Sequence, residues 1–437
     1  MLFNIKNKLK DGGIWRHFAI LTGGTLVSRV LLTAVTPILT RLYAPADFGI
    51  LSIFISLLTF MIIVSSLNYE AAIPLPEDDN AGFNLMGLSF LFLVCISVGS
   101  VIVVFFFGRQ LTVFFNAPAL NPYLWLLPVS LIAGGIFTIL NNWVLRIKAF
   151  VSLAKRRISQ SVAQVITQVS FPLFFNGPIG LLVGDAVGRS VGSTILIRET
   201  ISYARKQKLQ FSIILMIKAA KQYRIFPTFG LTTVVLHSGF GILPPLLISR
   251  LYGLHDAGLF LLVSSVFAAG LSLIGLSMAQ VYMAHASKLA HKSPLEMKAL
   301  FLKLSRTALI TGAIPCCLIL LSGPFLFGAV FGIKWLEAGV YSQILALPYF
   351  VMFVVGPVHP TLRIFSRQDL QLRADLLGIV LLVLGMTSFC YIGLSARWAV
   401  LVYGFAIIVT YSLLYLYAFK VIKEKCSNIV VTSNETG

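Results

Sequence analysis

The sequence has little charge. Only 11% of its 437 residues are charged, whereas hydrophobic residues make up 58% and the mean hydropathy is +0.91. A soluble globular protein has about 25% charged residues, so an ordinary soluble enzyme is excluded. A disordered chain is excluded as well, because disorder requires low hydrophobicity. The remaining class is a polytopic membrane protein.

Acidic residues are especially scarce. The chain has 15 Asp and Glu against 34 Lys and Arg, which gives a formal net charge of +19. In a soluble protein this excess would indicate a nucleic-acid partner. In a membrane protein it reports topology, because cytoplasmic loops collect Lys and Arg. The positions of the charges distinguish these two interpretations.

Motifs for enzymatic chemistry are absent. The five cysteines show no metal-binding spacing, and there is no glycine-rich phosphate loop, zinc motif or nucleophile elbow. We therefore predict a protein that is not an enzyme, with no catalytic residues, metal or cofactor. Coupling to H⁺ or Na⁺ stays open.

Long apolar runs dominate the chain, and a run of about 20 residues is enough to cross a bilayer as a helix. The sequence predicts an all-α integral membrane protein with twelve transmembrane helices. The predicted spans are 18–40, 46–68, 82–107, 122–145, 158–175, 179–197, 226–248, 257–284, 307–329, 338–361, 374–393 and 398–419.

Basic residues are distributed unevenly between the two sides of these spans. With the N-terminus inside, 27 of the 34 Lys and Arg fall on cytoplasmic segments, including five on segment 146–157, and five fall outside. This asymmetry predicts that both termini are cytoplasmic and removes the argument for nucleic acid. Arg29 and Arg189 are the two that remain within spans. The external loops are too short for a large external domain.

The chain also repeats. Residues 40–49 read TRLYAPADFG and residues 249–258 read SRLYGLHDAG, at an offset of 209. An even number of spans in each half makes this a parallel repeat about a pseudo-two-fold axis along the membrane normal. We predict an N-lobe of six spans (1–199), a basic amphipathic cytoplasmic linker (200–224) and a C-lobe of six spans (225–437). The motif positions are Arg41, Asp47 and Gly49, matched by Arg250, Asp256 and Gly258.

One face of the first span is polar. Threonines in a helix can simply bond back to their own carbonyl groups, but this does not account for an arginine, which costs about 2.5–3.5 kcal/mol at that depth. We expect Thr25, Arg29, Thr33 and Thr36 to line a cavity that binds substrate. The stripe has a mean step of 3.6 residues and comprises Thr22, Thr25, Arg29, Thr33, Thr36 and Thr40.

Other polar residues within spans are candidates for the same cavity or for gating. Arg157, Gln160 and Gln164 share one face of the fifth span, and Asp185 precedes Arg189 by one helical turn in the sixth. This last pair either neutralises itself for insertion or lines the cavity, where an anion could compete for Arg189. His237 and His359 in the second half are either packed core residues or sites of proton coupling.

Two stretches of the first half resemble a known family. Residues 37–49 read PILTRLYAPADFG and residues 69–76 read YEAAIPLP. With the twelve-span plan, this resembles the bacterial polysaccharide-transporter family, the Wzx-type O-antigen flippases of the multidrug/oligosaccharidyl-lipid/polysaccharide (MOP) exporter superfamily.

The resemblance implies a fold like that of the multidrug exporters called MATE. It implies translocation of an undecaprenyl-diphosphate-linked oligosaccharide from the inner to the outer leaflet of the bacterial inner membrane. Arg29 and Arg189 are the positions that match a role in holding the diphosphate and sugar headgroup. Polysaccharide polymerase and chain-length proteins are the implied protein partners.

Two alternatives remain open. A cation-coupled multidrug exporter of the same superfamily usually needs a carboxylate within the membrane, and Asp185 is the only one predicted deep in a span. A membrane polysaccharide polymerase or ligase would need a larger external loop carrying acid and base groups. Both are less favoured than a flippase on these grounds.

Overall fold

The computed structural model describes the backbone of residues 14–435. It describes the side chains of residues 23–426, except those at 272, 273, 276, 288, 291 and 292. Within this part of the chain every regular element is a helix, and ten helices are long and apolar enough to cross a membrane. The N-terminal segment 1–13, which belongs to the predicted cytoplasmic face, lies outside the described residues.

The chain divides into two compact units, Met1–Val235 and Leu236–Gly437. The predicted linker region, 200–224, falls within the first unit. The helices of this unit are α1 (Ile14–Leu42), α2 (Pro45–Val64), α3 (Asp79–Phe114), α4 (Leu126–Arg146), α5 (Phe150–Ser170), α6 (Ile179–Ser190), α7 (Ser193–Gln207) and α8 (Ile213–Gln222).

The boundary between the two units falls within the next helix, α9, where the second unit begins at Leu236. α9 begins just before the boundary and follows a π-helical turn, Phe226–Gly230. A second π-helical turn, Leu271–Gly275, joins the next two helices. The helices are α9 (Leu231–Tyr252), α10 (Leu254–Gly270), α11 (Leu276–Lys292), α12 (Pro294–Phe331), α13 (Leu336–Val355), α14 (Thr361–Ile364), α15 (Gln368–Tyr391) and α16 (Ala396–Glu435).

The helices agree with the twelve predicted spans, each of which lies on at least one helix. The all-α membrane class is therefore confirmed. Three spans differ from simple apolar helices. α5, on the fifth span, does not reach the apolarity of a candidate span. The sixth span is divided between α6 and α7, and the eighth between α10 and α11. Polar residues in α5, Gly192 with its positive φ and the π-helical turn account for these differences.

The repeated motif has the same local structure in each unit. Arg41 lies in the last turn of α1, and Asp47 lies in the first turn of α2. Arg250 and Asp256 occupy the last turn of α9 and the first turn of α10 in the same way. A carboxylate at a helix start and a cation at a helix end both interact favourably with the helix dipole. The motif thus marks the same helix–turn–helix corner twice.

Arg146, at the end of α4, fixes the loop before α3. Its guanidinium donates hydrogen bonds to the carbonyl oxygens of Ile73 (3.1 Å) and Pro76 (2.6 Å) and to the Oδ1 atom of Asp79 (2.9 Å). The Arg146 side chain is only 7% exposed. A buried guanidinium with several acceptors holds the loop in place, because the loss of any one acceptor would leave a buried N–H donor unsatisfied.

Replacement of Arg146 by Met should destabilise the protein. R146M leaves the loop carbonyls without this donor and Asp79 without its cationic partner, so we expect the free energy of unfolding in detergent to fall by about 3 kcal/mol. Denaturant unfolding followed by circular dichroism measures this change. R198M removes an exposed arginine of α7 and should change stability by less than about 0.5 kcal/mol. Equal stability of the two variants would contradict the role of Arg146.

Candidate functional site

Four arginines come together in the first unit. We call Arg29 of α1, Arg156 and Arg157 of α5 and Arg189 of α6 the arginine cluster. The sequence predicted Arg29 and Arg189 as site residues and counted the other two on cytoplasmic segment 146–157. It also placed Arg157 on the polar face of the fifth span, with Gln160 and Gln164. Because α5 begins at Phe150, eight residues before the predicted span, Arg156 and Arg157 both lie within the helix.

Small residues bring these three helices close enough for the cluster to form. A Cβ atom on Gly24 of α1 would lie 2.7 Å from the Cβ of Ala154 in α5. On α6, a Cβ on Gly184 would lie 2.3 Å from Gln168, and one on Gly188 would lie 2.9 Å from Gln164. Such spacing is typical of membrane helices that pack through small residues. Gln164 thus lies at the interface between α5 and α6.

Arg29 and Arg157 form the first half of the cluster. Arg157 donates a hydrogen bond to the hydroxyl of Thr25, one turn from Arg29 on α1, and the two arginines repel one another electrostatically. Arg29 is exposed and makes no hydrogen bond or ion pair with any described residue. Its charge is therefore available to an anionic ligand.

Arg156 and Arg189 form the second half. They line a cavity of about 210 Å³ together with Gln160. Arg156 is only 2% exposed and donates hydrogen bonds to the Gln160 side chain and, at 3.3 Å, to the Arg189 carbonyl. Its guanidinium lies 3.3 Å from the centroid of the Phe137 ring. The buried Nε atom of Arg156 has no acceptor among the described residues.

Asp185 is the only carboxylate among the described side chains that pairs with the cluster. Its carboxylate oxygens accept hydrogen bonds from the Nε atom of Arg189 at 2.7 Å and from the Nη2 atom at 3.2 Å. The bidentate geometry is the strongest arrangement for this pair. Arg189 is still 22% exposed at its side chain and faces the cavity, so pairing and cavity lining occur together. With one carboxylate against four guanidinium groups, the cluster retains three positive charges.

The threonines of the predicted stripe differ in the hydrogen-bond partners of their hydroxyl groups. Thr36 and Thr40 donate to carbonyl oxygens of their own helix, at 3.0 Å each, which is the local bonding that threonines in helices commonly make. Thr33 is exposed on α1. Thr25 accepts a hydrogen bond from an arginine, and the side chain of Thr22 lies outside the described residues. The stripe therefore meets the cluster at Thr25 and Arg29.

A separate polar group lies in the second unit. The Nδ1 atom of His237 on α9 is 3.2 Å from the Oδ2 atom of Asp375 on α15. The His359 ring stacks on that of His237 with centroids 6.4 Å apart, and its Nδ1 is 3.0 Å from the Gly356 carbonyl. The Asp375 side chain is 2% exposed, whereas that of His237 is 46% exposed.

Asp375 is a second buried carboxylate that the sequence analysis did not single out. It lies within the candidate span Gln368–Tyr391 and is buried. It stands at the start of the predicted span 374–393, and its partner His237 is 138 residues away. No local spacing could have connected them.

The described helices define a multi-pass helical membrane protein, and its fold is that of transporters of the MOP superfamily. The chain is similar to an inward-facing MATE multidrug-resistance transporter of the MOP superfamily (TM-score 0.70, 12% identity, covering 94% of this chain and 99% of that one). It is similar to the lipid II flippase MurJ (0.68, 15%, 92% and 89%). A MOP transporter from Pyrococcus furiosus is also similar (0.54, 10%, 94% and 96%).

The profile of a family described as polysaccharide biosynthesis protein matches residues 38–340. The chain therefore belongs to this family of polysaccharide biosynthesis proteins. Together with the fold, this confirms the resemblance to the polysaccharide branch of the MOP superfamily. No curated protein matches the chain by sequence.

The Asp185–Arg189 pair should show strong energetic coupling. We expect the effects of D185A and R189A on unfolding in detergent to be non-additive by about 1–2 kcal/mol, because either single change leaves the other charge without its partner. A double-mutant cycle with D185A/R189A measures this. Additive effects, with a coupling energy near zero, would show that the pair does not stabilise the first unit.

Proposed function

We propose that this protein is a flippase for a lipid-linked oligosaccharide. It takes an undecaprenyl-diphosphate-linked repeat unit, such as that of O antigen, from the inner to the outer leaflet of the bacterial inner membrane by alternating access. Membership of a polysaccharide biosynthesis family supports a glycan substrate, and similarity to a protein named as a lipid II flippase supports the class of transport. The proposal includes cytoplasmic termini and no enzymatic step.

The observation that carries this proposal is the arginine cluster. A diphosphate headgroup must leave water and cross about 30 Å of hydrocarbon. Guanidinium groups bind phosphate oxygens through paired hydrogen bonds and stay charged in an apolar environment. The three uncompensated charges, the exposed Arg29 and the unpartnered Nε of Arg156 suit an anion. Amide and hydroxyl groups nearby, at Gln160 and Thr25, suit the sugar hydroxyls.

A cation-coupled multidrug exporter is the second candidate. The buried Asp375 beside His237 favours ion coupling, which such exporters use. The arginine cluster disfavours a cationic drug as substrate, because the drug would meet positive charge. We therefore assign the two features to one cycle, in which the first unit binds the anionic substrate and the second unit binds a proton.

Loss of the exposed arginine should abolish transport. We expect R29A to eliminate surface polysaccharide in a strain that depends on this protein, and R29K to retain part of it, because lysine keeps the charge but not the paired hydrogen bonds. Surface glycan is measured on gels, and the membrane level of each variant by immunoblot. R109A removes an exposed arginine of α3 outside the cluster and serves as control. Full surface glycan with R29A would refute the anion-binding role.

The His237–Asp375 pair should couple transport to protons. In proteoliposomes that contain lipid-linked oligosaccharide, we expect a transmembrane pH gradient to accelerate flipping by the wild type but not by D375N or H237A. H285A removes an exposed histidine that hydrogen-bonds to a carbonyl of its own helix and should respond as the wild type does. Equal rates with and without the gradient in the wild type would exclude obligate proton coupling.

A further inference from the structure

A second cavity lies in the first unit, away from the arginine cluster. It has a volume of about 550 Å³ and is bounded by α3, α4, α7 and the segment after α7. We call it the α3–α7 cavity. Its walls are mainly apolar and include Phe83, Met86, Leu140, Ile201 and Phe211. A cavity of this size accommodates a hydrocarbon chain.

One wall of the cavity is held in a fixed position. Phe211 stacks on Phe83 with ring centroids 4.1 Å apart. The buried side chain of Asn84 donates to the Gln210 carbonyl at 3.1 Å and accepts from the Ser212 backbone N–H at 2.8 Å. These bonds tie the segment after α7 to the start of α3. The cavity is therefore a built feature of this end of the unit.

The lining residues are ordered from apolar to basic along α7. Ile197, Ile201 and Ala204 line the apolar part, and Arg205 and Lys208 line the end where α7 stops. From Ile197 to Arg205 the helix rises about 12 Å. Both basic residues are exposed, and no described carboxylate forms an ion pair with either. The cavity thus joins an apolar slot to a positively charged mouth.

Two further observations point to a ligand in this space. Thr200 lines the cavity and is 6% exposed, and its buried hydroxyl has no hydrogen-bond partner among the described residues. An unsatisfied buried hydroxyl is costly unless a ligand or water meets it. The slot also opens sideways, because Ile201 and Phe211 are 45% and 54% exposed.

We propose that the α3–α7 cavity binds one anionic phospholipid of the surrounding bilayer. An acyl chain fills the slot between α3, α4 and α7, and the ester end lies beside the Thr200 hydroxyl. The phosphate lies between Arg205 and Lys208, where two cations near a membrane surface attract an anionic headgroup. Basic pockets between membrane helices have this affinity for anionic lipids. A zwitterionic lipid carries no net charge, so its headgroup is attracted more weakly by the two basic residues at the mouth of the cavity.

Native mass spectrometry of the purified full chain tests this proposal. Micelles are doped with palmitoyl-oleoyl phosphatidylglycerol or with the matching phosphatidylcholine, and bound lipid is counted. We expect the wild type to retain one phosphatidylglycerol and little phosphatidylcholine. R205A/K208A should bind phosphatidylglycerol about tenfold more weakly. A204F, which places a ring in the slot, should lose it. R198A/K206A removes two exposed charges of α7 that do not line the cavity and should bind normally.

Several results would overturn the assignment. Equal retention of the two phospholipids, or no retention of either, excludes a specific anionic lipid. Normal binding by A204F excludes the slot, and equal weakening by R198A/K206A reduces the effect to general surface charge. Binding of undecaprenyl phosphate that depends on Arg205 and Lys208, without binding of phosphatidylglycerol, would assign the cavity to a polyprenyl chain instead.

Discussion

A guanidinium group inside an apolar helix bundle needs a compensating partner, and this constraint organises the first unit. Four arginines meet there, and one carboxylate, Asp185, forms a bidentate pair with one of them. Thr25 and Gln160 accept hydrogen bonds from two others. These contacts satisfy hydrogen-bonding groups but leave the charge itself uncompensated. In the proposed function an anionic headgroup supplies the missing charge, and on this ground we prefer a lipid-linked diphosphate to a cationic drug as substrate.

In the second unit the buried charged group is a carboxylate, and it too has a polar partner. Asp375 is buried and has a histidine partner whose charge depends on protonation. When the histidine is protonated the pair is neutral, and loss of that proton leaves the buried carboxylate as a single negative charge that a returning proton neutralises. The two halves of the repeat share the Arg–Asp helix corner, yet they have diverged in the polar residues placed within their helices. This divergence suits a transporter in which one half binds substrate and the other binds the coupling ion.

Hydropathy alone was enough to predict the fold, because a chain in lipid must satisfy its backbone within each helix. The twelve spans, the all-helical class and the family resemblance followed from local sequence. Arg29 and Arg189 were predicted because they were the two basic residues that topology left unexplained. The structure places both in the arginine cluster, and it leaves their part in binding a substrate to experiment.

The rest of the candidate site depends on contacts that no local pattern encodes. Arg156 was assigned to a loop because hydropathy begins the fifth span at residue 158, although α5 begins at Phe150. Arg157 was counted with that loop as well, but its place on the polar face of the span was predicted. The helical spacing of these arginines with Gln160 and Gln164 was the available signal. Only the packing of α5 against α1 and α6 shows that Gln160 lines the cavity whereas Gln164 lies at the helix interface. Asp375 was missed for the same reason, since burial and its distant histidine define its role.

The central claim is that the arginine cluster recognises the charge of a diphosphate headgroup. The most direct measurement compares flipping of two lipids that carry the same oligosaccharide, one through a diphosphate and one through an uncharged linker, in proteoliposomes of the purified protein. The account predicts rapid flipping of the diphosphate-linked lipid and a rate for the uncharged lipid close to that of protein-free vesicles. Equal rates for the two lipids would contradict it.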